Sequence, residues 1–86
     1  MNIDELRRAV KDLRINPSFY SILDSKIVNG HVLRQDGNDW VVYYLDERGG
    51  FHDKRIFETE DEACVYFLRR LEKNKELFGW NYLIHE

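Results

Sequence analysis

This chain of 86 residues has one cysteine, one proline and no long hydrophobic run. A single cysteine, Cys64, excludes an internal disulfide and fits a reducing compartment. The N-terminal segment has neither the basic nor the apolar region of a signal peptide. The apolar run Trp40–Leu45 is far too short to span a bilayer. We therefore expect a cytoplasmic protein that does not enter a membrane.

The length indicates a single domain, residues 1–86, with a thin hydrophobic core. The chain compensates with five Phe, five Tyr and two Trp. Each of these side chains can bury about 150–250 Å². We expect a folded domain that needs neither disulfides nor a metal ion for its stability.

Capping signals predict a helix near each end of the chain. Asn2 and Glu5 have capping-box spacing for a helix from about Ile3 to Arg14, and the next proline ends that segment. Thr59 and Glu62 have the same spacing for a second helix, which runs to about Lys75. The apolar stripe of the second helix consists of Ala63, Cys64, Phe67, Leu68 and Leu71.

Three strands are predicted between the helices: His31–Gln35, Trp40–Leu45 and Phe51–Phe57. Polar and glycine-rich turns separate them. Residues 20–28 are ambiguous, because Asn29-Gly30 is a hairpin signal that lets Ile27-Val28 form a fourth strand, and the alternative is a loop.

The expected fold is therefore α+β, in the order α-β-β-β-α, with two helices on one face of a small antiparallel sheet. Trp40–Leu45 is apolar on both faces and should be central in that sheet. The face away from the helices must then be covered by the C-terminal tail, by a partner or by the tyrosine rings themselves.

The charge is unevenly distributed along the chain. Residues 35–62 hold nine acidic and three basic residues, whereas the segments on either side are slightly basic. Such a negative field repels nucleic acid and attracts basic proteins. A structural interpretation stays open, because turns and helix N-termini also favour Asp and Glu.

No catalytic pattern is recognisable. Cys64 lies on the apolar stripe of the second helix, where a buried cysteine is usually inert. His31, His52 and His85 lack metal-ligand spacing, and His52-Asp53 is expected to be a solvated pair. We expect a protein that is not an enzyme and that has no catalytic residue, metal site or cofactor.

One stretch resembles a known family. The matching residues are Trp40–Tyr44, Glu47–Gly49, Phe57 and Glu60–Cys64. They are similar to the pattern W-x-V-Y-Y-x-x-E-R-G, a variable strand, and then F-x-[ST]-E-x-x-A-C. This pattern resembles that of small bacterial immunity proteins of polymorphic-toxin and contact-dependent growth inhibition systems. The resemblance covers roughly the middle third of the chain.

The resemblance implies a protein that binds and neutralises a cognate toxin domain, often a nuclease, in the cytoplasm. Because nuclease surfaces that hold phosphate are basic, the acidic segment agrees with this function. The expected partner is a toxin with a basic surface, and nucleic acid and membrane are not expected partners. The expected contact residues are Asp36, Asp39, Tyr43, Asp46, Glu47, Arg48 and Asp53.

Two alternatives stay open. Glu47 and Arg48 are either contacts at a hairpin tip or parts of the turn itself, in which Gly49 takes a positive φ. The protein as a whole is either an immunity protein or a regulatory or scaffold module. Such a module would bind a protein, or a second copy of itself, through its sheet face and the tail Trp80–Ile84.

Overall fold

The capping signals at both ends of the chain form helices where the sequence predicts them. The computed structural model describes residues 1–24, 27 and 29–85. Its helices are α1 (Ile3–Asp12) and α2 (Glu60–Phe78), and its strands are β1 (Tyr20–Ile22), β2 (Gly30–Asp36), β3 (Asp39–Leu45) and β4 (Phe51–Phe57). Short 3₁₀ turns cover Pro17–Phe19 and Gly79–Tyr82. The α+β fold class is confirmed.

Both helices have the expected side-chain caps. The Asn2 side chain accepts a hydrogen bond from the Glu5 N–H at 2.8 Å, and the Glu5 carboxylate accepts one from the Asn2 N–H at 3.1 Å. The Thr59 hydroxyl accepts from the Glu62 N–H at 3.2 Å. Helix α1 ends two residues before the predicted Arg14, and α2 extends past the predicted Lys75 to Phe78. Neither helix, within the described ranges, combines the length and apolar character needed to cross a bilayer.

The sheet has four strands in the order β1-β2-β3-β4, and it is mixed rather than purely antiparallel. β2, β3 and β4 form the expected antiparallel meander. β1 is the fourth strand, but it pairs with β2 in parallel, with Tyr20 beside His31 and Ile22 beside Leu33. Only seven residues connect β1 to β2. They suffice for a parallel return because β1 has three residues, so the chain has only about 10 Å to retrace.

Of the two interpretations left open for this stretch, the Asn29-Gly30 hairpin is not the one formed, because Gly30 does not lie in a turn. Gly30 is the first residue of β2 and pairs with Leu45, and Val28 lies outside the described residues. Close packing requires glycine at position 30. A Cβ there would lie 2.3 Å from the carbonyl oxygen of Phe19, so only glycine fits against this backbone.

The main core lies between the helices and one face of the sheet. Trp40, Val42 and Tyr44 alternate onto this face, as the period of a strand requires. The largest fully buried side chains of this core are Phe67, Leu6, Ile15, Leu33, Leu71 and Val10. Cys64 is fully buried among them, so its predicted place in the core is confirmed.

The other sheet face carries a second, smaller cluster. Val32, Val41 and Tyr43 are buried there, and Ile27 and Leu45 pack against them. The Phe51 ring meets the Tyr43 ring edge-on at 4.8 Å between centroids. The Tyr43 ring thus helps to cover the sheet face away from the helices, which is one of the three ways of covering it that the sequence left open.

The C-terminal tail packs elsewhere. Leu83 forms a β-bridge with Ile15, and the Ile84 N–H donates to the Arg14 carbonyl at 2.7 Å. The tail therefore closes the helix side of the molecule, and Phe51 and Ile56 on β4 stay 65% and 61% exposed.

Candidate functional site

Eight carboxylates gather at the end of the molecule where both helices begin, and we call this end the acidic pole. The pairing of Trp40 with Phe57 places the β2–β3 turn beside the end of β4. The Ile3 N–H donates to the Glu60 carboxylate at 2.8 Å, and this bond joins the starts of the two helices. The residues of the pole are Asp4, Glu5, Asp36, Asp39, Glu58, Glu60, Asp61 and Glu62.

Part of this charge has a structural role. Five of the eight residues lie in the first turns of α1 and α2, where a carboxylate complements the helix dipole. The Asp61 carboxylate also accepts a hydrogen bond from the N-terminal ammonium group of Met1. Asp36, Asp39 and Glu58 lie outside the helices and are exposed. Their charge is therefore the surplus that the two helix caps do not require.

Asp46 lies at the opposite end of β3, and its carboxylate holds the β3–β4 turn together. It accepts the Arg48 N–H at 2.9 Å and the Gly50 N–H at 2.7 Å, and it contacts His52 Nε2 at 2.7 Å. The His52 hydrogen bond, followed by the backbone bonds, lowers the pKa of Asp46. Gly49 has the expected positive φ of 83°. The geometry gives Asp46 a structural role in the turn.

The remaining expected contact residues fall into separate places. Glu47 and Arg48 are exposed at the tip of the β3–β4 turn. Tyr43 lies on the face away from the helices and is only 6% exposed. Seven residues of β3 separate the two turns, which is roughly 20 Å at about 3.3 Å per residue. The expected contact residues therefore do not form one continuous surface.

Asp53 is placed by a β-bulge. The β3–β4 register shifts between Val42 and Tyr44, and Asp53 takes a φ of +54°. Bulges of this kind re-aim side chains. Here Asp53 accepts a hydrogen bond from Arg70 Nη2 of α2 at 3.2 Å. His52 and Asp53 are both exposed, as expected of a solvated pair, but each bonds to another residue: His52 to Asp46 and Asp53 to Arg70.

A cavity of about 430 Å³, which we call the aromatic cleft, opens beside this Asp53–Arg70 pair. Its aromatic walls include Phe19 and Tyr82, which stack at 4.8 Å between ring centroids. Tyr44 and Phe78 line the same cavity. The cleft lies between the C-terminal half of α2 and the sheet end opposite the acidic pole.

Sequence reasoning missed this cleft because its residues come from six different segments. One signal was present. Asn74 follows Phe67 and Leu71 at helical spacing, so a polar side chain falls on the apolar stripe of α2. In the structure the Asn74 amide contacts His31, which is buried on β2.

His31 is 4% exposed and lies against the cleft. The Asn74 amide nitrogen lies 2.7 Å from His31 Nε2 and 3.4 Å from the Tyr82 hydroxyl. With the amide in this orientation its nitrogen donates to Nε2, which places the imidazole proton on Nδ1, a buried atom with no hydrogen-bond partner among the described residues. Burial, assisted by the charge of Arg70, lowers the pKa of His31 to about 4. His31 is therefore neutral at pH 7.

The Cys64 thiol is held in an unreactive state, and the two histidines beside the cleft are engaged in hydrogen bonds. Burial and nearby carboxylates raise the pKa of Cys64 to about 11, so its thiol stays protonated. His31 and His52 both line the cleft, but each Nε2 already has a protein partner. Over residues 1–24, 27 and 29–85, no three His, Cys, Asp or Glu side chains lie close enough to hold a metal ion.

Comparisons of this chain with protein-family models, with curated proteins and with solved structures give no match.

Proposed function

We propose that this protein is an immunity protein that binds a cognate toxin domain through the acidic pole and thereby neutralises it. The observation that carries the proposal is the position of Asp36, Asp39 and Glu58, which add exposed negative charge beyond what the helix caps need. The motif in β3, β4 and the start of α2, which resembles that of immunity proteins, supports the same function. Asp36 and Asp39 were expected contacts, and Glu58 joins them.

Electrostatics gives the pole a mechanism. A patch of one sign attracts a basic protein over a distance and can raise its association rate well above the unsteered value of about 10⁵–10⁶ M⁻¹s⁻¹. A toxin nuclease must hold a phosphate backbone and therefore presents positive charge. The acidic pole occupies that surface, competes with the substrate and leaves the toxin inactive.

Charge reversal tests this mechanism. The pole variant is Asp36→Lys, Asp39→Lys and Glu58→Lys combined. The control variant is Asp12→Lys, Glu72→Lys and Glu76→Lys combined, which changes the net charge equally at exposed sites outside the pole and outside the expected contact residues. The toxin is first captured from the cells of origin with the wild-type protein and identified. We then measure association rates at low and physiological salt.

The pole variant should associate at least tenfold more slowly at low salt and fail to protect cells that express the toxin. The control variant should protect. Equal protection by both variants would remove the acidic pole from the mechanism, and equal loss would show that only net charge matters.

A second candidate function is that of a scaffold module that binds a second copy of itself. Leu77 and Phe78, at the end of α2, and Trp80, in the turn that follows, are 68%, 58% and 69% exposed. Contiguous exposed apolar side chains often mark interaction surfaces. Light scattering should span protein concentrations from about 5 to about 500 µM, which bracket the dissociation constants of weak dimers. The average mass of the wild type should rise with concentration, and Leu77→Asp combined with Trp80→Asp should abolish the rise. A constant monomer mass would exclude this function.

A further inference from the structure

The aromatic cleft has the dimensions and walls of a small-ligand pocket. Its volume of about 430 Å³ lies at the small end of the range of about 300–1,000 Å³ that is usual for such sites. Tyr44, Phe78 and the stacked pair of Phe19 and Tyr82 line it. Flat aromatic walls favour a flat guest, since ring stacking gives close contact over the whole face of the guest.

Arg70 and Asp53, which line the cleft, are paired with each other. Arg70 donates to Asp53 at 3.2 Å, and His52 contacts Asp46 at 2.7 Å. His31 is neutral because of its burial. A charged guest would meet both signs of charge in the Arg70–Asp53 pair, whereas an uncharged guest leaves that pair intact and is therefore favoured.

Hydrogen-bonding groups of both kinds remain for a guest. The two N–H bonds of the Asn74 amide are directed at His31 and Tyr82, which leaves its Oδ1 as an acceptor. The cleft is also lined by the amide of Asn81, which is exposed. The Arg70 guanidinium has more donors than its one bond to Asp53 uses. Donors and acceptors thus converge on one aromatic-walled space.

We propose that the aromatic cleft binds an uncharged planar heterocycle of one or two rings that carries hydrogen-bond donors and acceptors at its edge, which is the chemistry of a free nucleobase. The ring would stack against the exposed Phe78, because Tyr82 is buried and its ring already stacks with Phe19 and Phe78. The edge of the guest would meet Asn74, Asn81 and the Asp53–Arg70 pair. This proposal is independent of the proposed function, because the acidic pole lies at the other end of the molecule.

The test uses the full chain labelled with ¹⁵N and three probes followed by NMR. Adenine and uracil are uncharged and have mixed edges, and benzoate is flat but anionic. Adenine or uracil should shift the amide signals of cleft residues in a saturable way, and benzoate should bind at least tenfold more weakly. Absence of saturable shifts with both bases, shifts centred elsewhere, or benzoate binding as tightly as the bases would each overturn the proposal.

Two variants make the test specific. Phe78→Ala removes an exposed wall and should weaken binding of the base at least tenfold, while Leu77→Ala changes an equally exposed neighbour that does not line the cleft and should leave binding unchanged. Asp53→Asn keeps the shape at a left-handed position that Asn readily adopts, but it leaves Arg70 without its carboxylate. That variant should bind benzoate at least threefold more tightly than the wild type does. Unchanged binding of the base by Phe78→Ala, or of benzoate by Asp53→Asn, would contradict the assigned geometry.

Discussion

The buried His31 should make the stability of this protein fall between pH 7 and pH 5. Its pKa in the folded state is about 4, against an ordinary value of 6.5, mainly because burial disfavours the charged imidazolium. Arg70 lowers the pKa further, and Asp53 opposes the shift. Protonation would also remove the Nε2 lone pair that accepts from Asn74.

The sign and size follow from proton linkage. Between pH 6.5 and about 4 the unfolded chain binds the proton and the folded protein does not, so acid favours unfolding. At pH 5 the difference between the two pKa values costs about 2 kcal/mol relative to pH 7. The stability contribution of His31 is complete above pH 6.5 and is lost as the pH falls toward 4.

Urea denaturation followed by circular dichroism at pH 7 and pH 5 measures this cost. With an m value of roughly 1–2 kcal/mol/M, the wild-type midpoint should fall by about 1–2 M. His31→Gln keeps an acceptor for Asn74 but does not titrate, so its loss between the two pH values should be smaller by about 2 kcal/mol. His85→Gln, at an exposed tail position, should behave like the wild type. An equal loss in the wild type and His31→Gln would refute the reasoning.

Three further predictions concern the core and the backbone. Phe67→Ala, at a fully buried site, should lower the free energy of unfolding by about 3–5 kcal/mol, against less than about 0.5 for the exposed Leu77→Ala, as thermal or urea melts would show. Gly30→Ala should cost about 1–3 kcal/mol, because the new Cβ would lie 2.3 Å from the Phe19 carbonyl oxygen; a neutral effect in the same melts would contradict this close approach. Cys64 should react with a thiol reagent only as the protein unfolds, so that labelling follows the urea transition; rapid labelling of the native protein would show that the thiol is accessible.

Local signals in the sequence predicted the local parts of the fold correctly. The caps at Asn2 and Thr59 depend on side chains three residues apart, and the β2–β3 and β3–β4 turns join neighbours in the chain. The apolar character of Trp40–Leu45 on both faces also agrees with its packing, since Val42 belongs to the main core and Val41 and Tyr43 to the smaller cluster. In each case the physical cause lies within a few residues of its effect.

Non-local features could not be predicted in the same way. The parallel pairing of β1 and the requirement for glycine at position 30 depend on Phe19 and Tyr20, which come from a separate segment. The bulge that directs Asp53 toward Arg70 is a property of the β3–β4 pair and α2 together.

The charge distribution shows the same limit. The acidic segment of residues 35–62 suggested one surface, but β3 separates its two turns. Folding then brings the first turn of α1 beside the start of α2 through the bond from the Ile3 N–H to Glu60. The acidic pole therefore contains residues from outside the acidic segment and lacks several from within it.

Protection of cells from the captured toxin tests the central claim most directly. The toxin is expressed with the wild-type protein, with the Asp36→Lys, Asp39→Lys and Glu58→Lys variant, or with the control variant of equal net charge. We expect growth with the wild type and the control, and arrest with the pole variant, although all three proteins are folded by circular dichroism. Growth with the pole variant, or the absence of any toxin domain among the captured proteins, would contradict the proposed function.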